Sequence, residues 1–420
     1  MDPSDHLFRH ESGRMVAALT RIFGVHNYAL AEDVVQDAFV RAMEVWKFAG
    51  MPDNPSAWLM TTAKNRARDV LRRERTARTF APELGKLLES EWTLSTALEE
   101  NFSPHLVQDD LLRMMFSCCD PELPEIAQIA LILNILCGFS AGEIASALLT
   151  GLAAIEKRIS RGKKVLAQSD RLFQLTDARE VANRLSTVHQ ALYLLFNEGY
   201  HGSSPSAAIR SELCFEAMRL TDLLRESHLT ATPTTLALAA LMALHASRLP
   251  ARLDAAGNLS SFVEQDRSRW DHELAGKGIQ LLERAAEGSE VTVYHLEAAI
   301  AAVHSRARSV EETDWAAIVF LYDRLLEINP SPVVALSRAI AVAEAEGAAH
   351  GLEAIRAIDE RERLERYPFF HAALGELELR LDHGRAAEAH FLDALRVARN
   401  PTEREFLSRR IAAAGAALPT

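Results

Sequence analysis

The stretch from Asn54 to Arg75 constrains the fold of this chain more than any other. Pro55 suits the first position of a helix, and no later proline or glycine interrupts the run. Apolar residues recur in the stretch at helical spacing, at Leu59, Ala63, Ala67 and Val70. The spacing therefore predicts one amphipathic helix, which carries a tryptophan, hydroxyl groups, an amide and arginines on its other side.

That other side of the helix has the composition of a nucleic-acid contact. The residues on it are Trp58, Thr61, Thr62, Asn65, Arg68 and Arg72. Basic groups neutralise phosphates, an aromatic ring stacks on bases, and threonine and asparagine hydrogen-bond to base edges. The alternative is a basic helix that is merely exposed to solvent, because charged runs are commonly exposed faces. Its tryptophan would then pack in an interface between domains.

Charge is unevenly distributed along the 420 residues, whose net charge is -12. Residues 64–78 carry seven basic and two acidic side chains, and residues 153–171 carry six and two. Two basic islands in an acidic protein indicate specific contact surfaces, because general affinity for nucleic acid requires an overall basic surface. The length predicts roughly two to four domains.

The four cysteines, at positions 118, 119, 137 and 214, form no CxxC pair and no Cys/His spacing of a zinc site. The sequence therefore predicts no metal site and no cofactor, and we interpret the adjacent pair Cys118 and Cys119 as core filling. The N-terminus lacks a basic-then-apolar signal, and no apolar run approaches membrane-spanning length. These features predict a cytoplasmic protein without a membrane partner.

An acidic helix, beginning near Ala29, precedes the basic one, and the loop Lys47–Asp53 lies between them. The order of the segments Ala31–Ala42, Ala57–Leu59 and Asn65–Asp69 resembles region 2 of extracytoplasmic-function sigma factors of bacterial RNA polymerase. The resemblance implies that the acidic helix binds the clamp of the polymerase core through Asp33, Gln36 and Asp37. It also implies that the loop and the basic helix bind and melt the minus-ten promoter element, with one base flipped out of the stack. The implied minus-ten contacts are Asn54, Trp58, Thr61, Lys64, Asn65, Arg68 and Arg72.

A second candidate site is a helix-turn-helix, predicted as Ser140–Leu149, a turn at Thr150 and Gly151, and Leu152–Leu166. The second of these helices carries an apolar stripe at Ile155, Ile159, Gly162 and Leu166. The segment from Glu143 in the first helix to Lys164 in the second resembles sigma region 4. This resemblance implies contacts with the polymerase flap and the minus-thirty-five element. The implied DNA-binding residues are Lys157, Arg158, Ser160, Arg161 and Lys164. Leu149 and Gly151 replace the usual turn glycine and helix cap, and Gly162 weakens the helix interior by up to about 1 kcal/mol.

The remaining 250 or so residues have a helical pattern throughout. Leu326–Pro330 is echoed by Val397–Pro401, a separation of 71 residues, which is near twice the tetratricopeptide period of about 34. Three further segments resemble the extension of one sigma subgroup, which has a C-terminal tetratricopeptide-like domain. These segments are Leu195–Tyr200, Leu249–Asp254 and Glu264–Asp271.

The same three segments allow two interpretations. One is an acid/base or metal cluster formed by Glu198, Asp254, Asp266 and His272. The other is structural, and we favour it because no ligand spacing recurs. It predicts that Asp266 and Asn197 cap helices and that Arg252 and Arg267 pair with carboxylates.

The sequence as a whole predicts an all-α chain. Its predicted domains are region 2 over 1–80, an acidic linker over 81–108, region 4 over 109–170, a helical extension over 171–310 and tetratricopeptide-like repeats over 311–420. The predicted function is a non-enzymatic sigma factor that brings RNA polymerase core to promoter DNA. Regulation is expected through the C-terminal helices, which receive a signal or a regulatory protein. A polymerase-independent helix-turn-helix regulator with a repeat sensor is one alternative, and an enzyme built in the C-terminal helices is another.

Overall fold

The computed structural model describes residues 11–20, 28–76, 111, 113–148, 150–168, 178–202, 209–254, 258–365, 367–398 and 400–416. Over these residues the regular secondary structure is helical, and Leu253 and Leu259 form an isolated antiparallel bridge. The predicted all-α fold class is therefore confirmed. The predicted acidic linker, 81–108, lies outside the described residues. No helix in the described part combines the length and the apolar character that crossing a bilayer requires.

The chain divides into two compact units, Met1–Leu195 and Phe196–Thr420. The described helices that begin in the first unit are α1 (residues 11–20), α2 (Tyr28–Ala49), α3 (Pro55–Thr76), α4 (residues 113–118), α5 (Glu125–Ile135), α6 (Ala141–Ala147), α7 (Leu152–Gln168) and α8 (Ala178–Tyr200).

Helices α2 and α3 pack against each other as a pair. The predicted stripe of α3 is buried at Leu59, Ala63 and Ala67, and each of these side chains is 0% exposed. Burying a leucine side chain stabilises a fold by roughly 1.5–3 kcal/mol, while the alanines let the two helices approach closely. Pro55 is the first residue of α3, as predicted, and the Asn54 side chain accepts a hydrogen bond from the Ala57 N–H at 3.0 Å. That bond identifies Asn54 as the helix N-cap.

The predicted helix-turn-helix is formed by α6 and α7, with α5 packed against both. Helix α6 begins with a capping box, in which Ser140 Oγ accepts from the Glu143 N–H and the Glu143 carboxylate accepts from the Ser140 N–H. The predicted stripe of α7 is buried at all four positions. A Cβ atom at Gly162 would lie 2.7 Å from Leu131 Cδ1 of α5. The glycine that weakens α7 as a helix therefore lets α7 lie directly against α5.

The second unit is a succession of helices in which each packs against the next. Its described helices are α9 (Ser211–Glu226), α10 (Pro233–Ala246), α11 (His272–Ala285), α12 (Val293–Arg306), α13 (Trp315–Ile328), α14 (Pro332–Glu346), α15 (Ala348–Arg356), α16 (Pro368–Arg380), α17 (Gly384–Val397) and α18 (Pro401–Ala416). The turn before Pro332 and the turn before Pro401 occupy equivalent places between helices, and the two prolines are 69 residues apart. The repeat in the sequence has a spacing of 71 residues, which is two residues longer than the 69-residue spacing of these helix starts.

Candidate nucleic-acid and polymerase interface

The outward face of α3 presents two of the predicted minus-ten residues to solvent. Thr61 and Asn65 are exposed and one helical turn apart, and Lys64 between them is half-buried. The side chains of Arg68 and Arg72 lie outside the described residues, although both positions belong to α3. The structure thus places the hydroxyl and amide groups of the prediction on one accessible strip of helix.

Trp58 of α3 packs against an aromatic side chain of α2. Its side chain is half-buried, and its ring meets Trp46 of α2 edge to face, with ring centroids 5.3 Å apart and an interplanar angle of 61°. The ring on the outward side of α3 thus has an aromatic partner from α2, which the pattern of one helix does not show. Trp46 was not among the predicted site residues, and only its place in the last turns of the preceding helix could have pointed to it.

The loop between α2 and α3 adds a group that the sequence did not single out. The Phe48 side chain at the end of α2 is 87% exposed, and Met51 after it is 51% exposed. Gly50 turns the chain there with a φ of +78°, a value that favours glycine. Asn54, an exposed residue, ends the loop as the N-cap of α3, and its side-chain oxygen accepts the capping hydrogen bond.

The predicted polymerase face lies on α2, where Asp33, Gln36 and Asp37 are all exposed. Asp37 is already engaged, because its carboxylate forms an ion pair of 2.5 Å with Arg66 of α3. Both side chains of this pair are about half exposed, so the pair contributes little to stability and can exchange partners. Asp33 and Gln36 are thus the more accessible members of the predicted set.

The region of α2 next to this face borders the helix-turn-helix domain. Gln36 and Glu32 line a cleft of about 250 Å³ together with residues of the α5–α6 turn, among them Asn134 and Phe139. Glu32 also forms an ion pair with Lys163 of α7. In the same interface Gly13 of α1 lies against the backbone of Leu136, where a Cβ atom would collide with the carbonyl group. Within the first unit, α1 and α2 therefore contact the domain that contains α7.

Helix α7 directs four of the five predicted minus-thirty-five residues to solvent, which are Lys157, Ser160, Arg161 and Lys164. Arg158 is half-buried, and its buried Nη1 atom has no hydrogen-bond partner among the described residues. The apolar stripe faces α5 and α6, so the exposed cations lie on the side that a major groove would meet. The geometry therefore gathers a compact basic strip, with Arg158 at its edge.

The three unusual C-terminal segments come together around buried arginines. Arg252 Nη2 donates to the Tyr200 carbonyl at 2.9 Å, and its guanidinium lies 4.3 Å from the centroid of the Tyr200 ring. Arg248, 7% exposed, lies over the rings of Phe262 at 4.4 Å and Trp270 at 5.4 Å. We call this set the arginine–aromatic cluster, and it consists of Tyr200, Arg248, Arg252, Phe262, Arg267, Trp270 and His304.

Arg267 shows why the predicted arginine–carboxylate pairs are wrong. Its Nη1 donates to the carbonyl oxygens of His304 and Ala307 at 3.1 and 2.8 Å, and its Nη2 donates to Thr313 Oγ1. The end of α12 leaves carbonyl groups without helical donors, and a guanidinium satisfies them as well as it would a carboxylate. Arg252 likewise donates to a carbonyl oxygen. Desolvation by burial lowers the pKa of Arg248, and it lowers the pKa of His304 to about 3.

The residues of the acid/base interpretation each have a local structural role or an exposed position. Glu198 is ion-paired with Arg210 at 3.7 Å, and Asp254 accepts a hydrogen bond from the Asn258 N–H at 2.8 Å. Asp266 caps a 3-10 turn by accepting from the Ser268 N–H, which confirms its predicted capping role. His272 is the exposed first residue of α11.

Asn197, also predicted as a cap, lies inside α8 instead of at its N-terminus, so that prediction is wrong.

The four cysteines are buried and free, as core filling predicts. Burial raises the pKa of the Cys119 thiol to about 12, and it raises the pKa of the Cys214 thiol to the same value. Cys118 is shifted in the same direction, again chiefly by burial. These sulfurs remain protonated thiols near neutral pH and act as small apolar groups.

Comparison with known proteins assigns both candidate sites to known domain families. Residues 7–77 match Sigma-70 region 2, and residues 113–166 match Sigma-70, region 4. Residues 184–286, which contain most of the arginine–aromatic cluster, match a family of unknown function, DUF6596. The chain is 36% identical over 398 residues to the uncharacterized protein R00370 of Rhizobium meliloti (strain 1021), covering 94% of this chain and 92% of that relative. No solved structure matches the chain.

Proposed function

We propose that this chain, in which a Sigma-70 region 2 match is followed by a Sigma-70 region 4 match, joins bacterial RNA polymerase core as an extracytoplasmic-function sigma factor and directs the enzyme to specific promoters. The observation that carries the proposal is the succession of a region 2 match and a region 4 match in one chain, each with an exposed polar helix face. The proposed location is the cytoplasm, where polymerase and promoter DNA are found.

Helix α3 and the loop before it bind the minus-ten element in this proposal. Unstacking a base costs a few kcal/mol, and an aromatic surface beside basic groups repays that cost. Trp58 with its partner Trp46 supplies the ring surface, while Thr61 and Asn65 offer hydrogen bonds to base edges. Asn54, Lys64, Arg68 and Arg72 complete the proposed contact set.

Helix α7 reads the minus-thirty-five element in the major groove. Lys157, Arg161 and Lys164 are exposed cations on its outward side, and Ser160 lies among them. Phosphate contacts by lysine and arginine position a helix, and an arginine that reaches guanine adds sequence preference. The proposal includes Arg158 as a further contact. The same domain is also proposed to touch the polymerase flap.

Helix α2 contacts the polymerase clamp through Asp33 and Gln36, and Asp37 joins them if its ion pair with Arg66 is exchanged. Glu32, on the same helix, forms an ion pair with Lys163 of α7. The C-terminal helices, as tetratricopeptide-like repeats, are proposed to receive a signal or a regulatory protein and to tune the availability of the DNA-binding domains.

The experiment that tests the proposal is reconstitution of the purified chain with core polymerase, followed by sequencing of the transcripts that the complex starts. We expect defined start sites with a shared upstream sequence, and we expect these to disappear in an Arg161→Ala, Lys164→Ala double variant. An Asp33→Lys, Gln36→Ala variant should lose co-purification with core. Specific binding to duplex DNA without any association with core would instead favour the polymerase-independent regulator.

The proposed regulation by the C-terminal helices needs a truncation that spares α8. Arg184 of α8 donates to the Phe116 carbonyl at 3.1 Å, so a chain ending before α8 would remove support from the helix-turn-helix domain. A chain that ends after Tyr200 avoids this defect, and circular dichroism checks that it is folded. Regulation predicts that transcription from a matched promoter differs between the truncated and full chains, and equal transcription by both would contradict it.

A further inference from the structure

Three side chains with metal-binding atoms converge between α16 and α17 in the second unit. They are His371 of α16 and His390 and Asp393 of α17, all half-buried, and their ligand atoms lie within 4.8 Å of one another. Three atoms this close fit inside a circle of radius 4.8/√3, or about 2.8 Å, whereas Zn–N bonds are about 2.0–2.1 Å long. Small rotations of the three side chains would therefore bring all of them to bonding distance of one ion.

The helix pair that carries these residues is held at close range. A Cβ atom at Gly375 of α16 would lie 2.7 Å from the Phe391 ring, so glycine is required for the approach of α17. Phe391 adjoins His390 in the chain, and Gly375 lies one helical turn after His371. Asp393 follows His390 by three positions, which places both on one face of α17. The backbone positions of the three groups are thus set by packing before any ion binds.

The hydrogen bonds around the cluster suit metal binding. His371 Nε2 donates to the carbonyl oxygen of Glu365 at 2.8 Å, which leaves the lone pair on Nδ1 available. Metal-bound histidines commonly donate their second nitrogen to a carbonyl group in this way, because it orients the ring. One Asp393 oxygen accepts from Arg396 in an exposed pair, and the second oxygen of the carboxylate remains for an ion.

We propose that His371, His390 and Asp393 form a binding site for a divalent transition-metal ion, Zn²⁺ or a similar ion, that bridges α16 and α17. Two imidazoles and one carboxylate are a donor set that suits Zn²⁺ and neighbouring first-row ions, whereas Mg²⁺ and Ca²⁺ prefer oxygen ligands alone. With three protein ligands, a fourth coordination position is left for water or an exchangeable group. The ion would fasten two consecutive helices of the C-terminal unit to each other.

The test is titration of the full-length chain, freed of metal by a chelator, with ZnCl₂ in an isothermal calorimeter. We expect saturable binding with a component that depends on this site, and a rise in the unfolding temperature, because a ligand that binds only the folded state stabilises it. His371→Ala and His390→Ala each remove a ligand, so each should weaken this component by at least the roughly 10- to 100-fold that loss of an outer-shell partner causes. Co²⁺ as a second probe should give the visible absorption of a four-coordinate ion in the original chain but not in these variants.

His350→Ala is the matched control, because His350 is an exposed histidine on α15 that is not part of the cluster. It should leave the Zn²⁺ affinity unchanged. Asp393→Asn keeps the side-chain shape at its half-buried position and should likewise weaken the Zn²⁺ binding of this site. The proposal is overturned if no saturable binding occurs, or if the two histidine variants bind Zn²⁺ as tightly as the control does.

Discussion

Glu32 and Lys163 form an ion pair that joins α2, in the region 2 match, to α7, in the region 4 match. Their side chains are 26% and 25% exposed, so water screens the pair only in part. The two residues are 131 positions apart in the sequence, and Glu32 also lines the cleft that Gln36 lines. The coupling free energy of this pair therefore reports how firmly the two domains contact each other in the free chain.

A double-mutant cycle with Glu32→Gln and Lys163→Met should give a coupling free energy of about 0.5–1 kcal/mol, which is the upper part of the range for partly exposed pairs. The coupling should shrink in 1 M salt, where the screening length is about 3 Å. Hydrogen exchange of the α2 and α7 amides provides the measurement. The pair Glu273 and Lys277, on the exposed surface of α11, is the control and should show a smaller coupling, because solvent screens it more completely. A coupling below that of the control would mean that the two domains separate freely.

Trp58→Ala should impair promoter opening while leaving the affinity for core polymerase within about twofold. Stacking on an aromatic ring contributes about 1–3 kcal/mol per base, so the open complex should become roughly tenfold less favoured or more. Permanganate reactivity of unpaired thymines measures opening, and co-sedimentation with core measures affinity.

Trp58→Phe is the informative companion variant, because it keeps an aromatic surface against Trp46. It should retain most of the opening activity, and Asn65→Ala should reduce opening without changing the fold, since Asn65 is exposed. Equal losses of opening and of core affinity in Trp58→Ala would assign this ring a structural role only.

The helical stripes could be predicted because they depend on local period alone. Leu59, Ala63 and Ala67 in α3 repeat at helical spacing, as does the stripe of α7, and all of these positions are buried. The same reasoning could not predict which outward-facing residues meet each other. The contact of Trp46 with Trp58 depends on how two helices pack, and no single-helix pattern contains that information.

In the C-terminal unit, the partners of polar side chains likewise could not be predicted from the sequence. Arg267 was expected to pair with a carboxylate, but the nearest acceptors are the carbonyl groups at the end of α12, which come from another part of the chain. His371 and His390 are 19 positions apart on different helices, so the spacing rules for zinc sites could not detect them. The three-residue step from His390 to Asp393 was the local signal present, and that signal is weak.

Gly162→Ala should destabilise the helix-turn-helix domain although alanine is the better helix former. The added methyl group would lie 2.7 Å from Leu131 Cδ1, and overpacking of this kind costs about 1–3 kcal/mol, against a gain of up to about 1 kcal/mol in helix propensity. Hydrogen exchange of α7 amides should report the loss. Gly276→Ala in α11 is the matched control, because nothing lies within 4 Å of its added methyl group and it should stabilise by about 0.5–1 kcal/mol. Rescue of Gly162→Ala by Leu131→Ala would identify the collision as the cause.

The second unit should lose stability as the pH falls from about 7 to 5, because its described part buries neutral histidines, His245 and His304 among them. Burial lowers the pKa of His245 to about 3 and that of His304 to about 3, with neighbouring arginines acting in the same direction. Their usual pKa is near 6.5, so below that pH the unfolded chain binds protons that the folded chain does not. The stabilisation is complete above pH 6.5 and is lost progressively towards pH 3, at a slope that approaches about 1.4 kcal/mol per pH unit for each histidine.

His304→Gln should reduce the slope of the unfolding free energy against pH by the contribution of one histidine between pH 7 and 5. Most carboxylates titrate below this pH range, so they contribute little to the slope there. The substitution will also lower the stability at pH 7, because the His304 ring packs against Phe262 and Trp315 at centroid distances of 4.6 and 5.3 Å. The slope, and not the absolute stability, is therefore the test, and it is measured from hydrogen exchange of α12 amides at several pH values. His272→Gln, at an exposed position on α11, should leave the slope unchanged. If His304→Gln and His272→Gln have the same slope as the original chain, His304 is protonated in the folded state and the predicted acid sensitivity has another source.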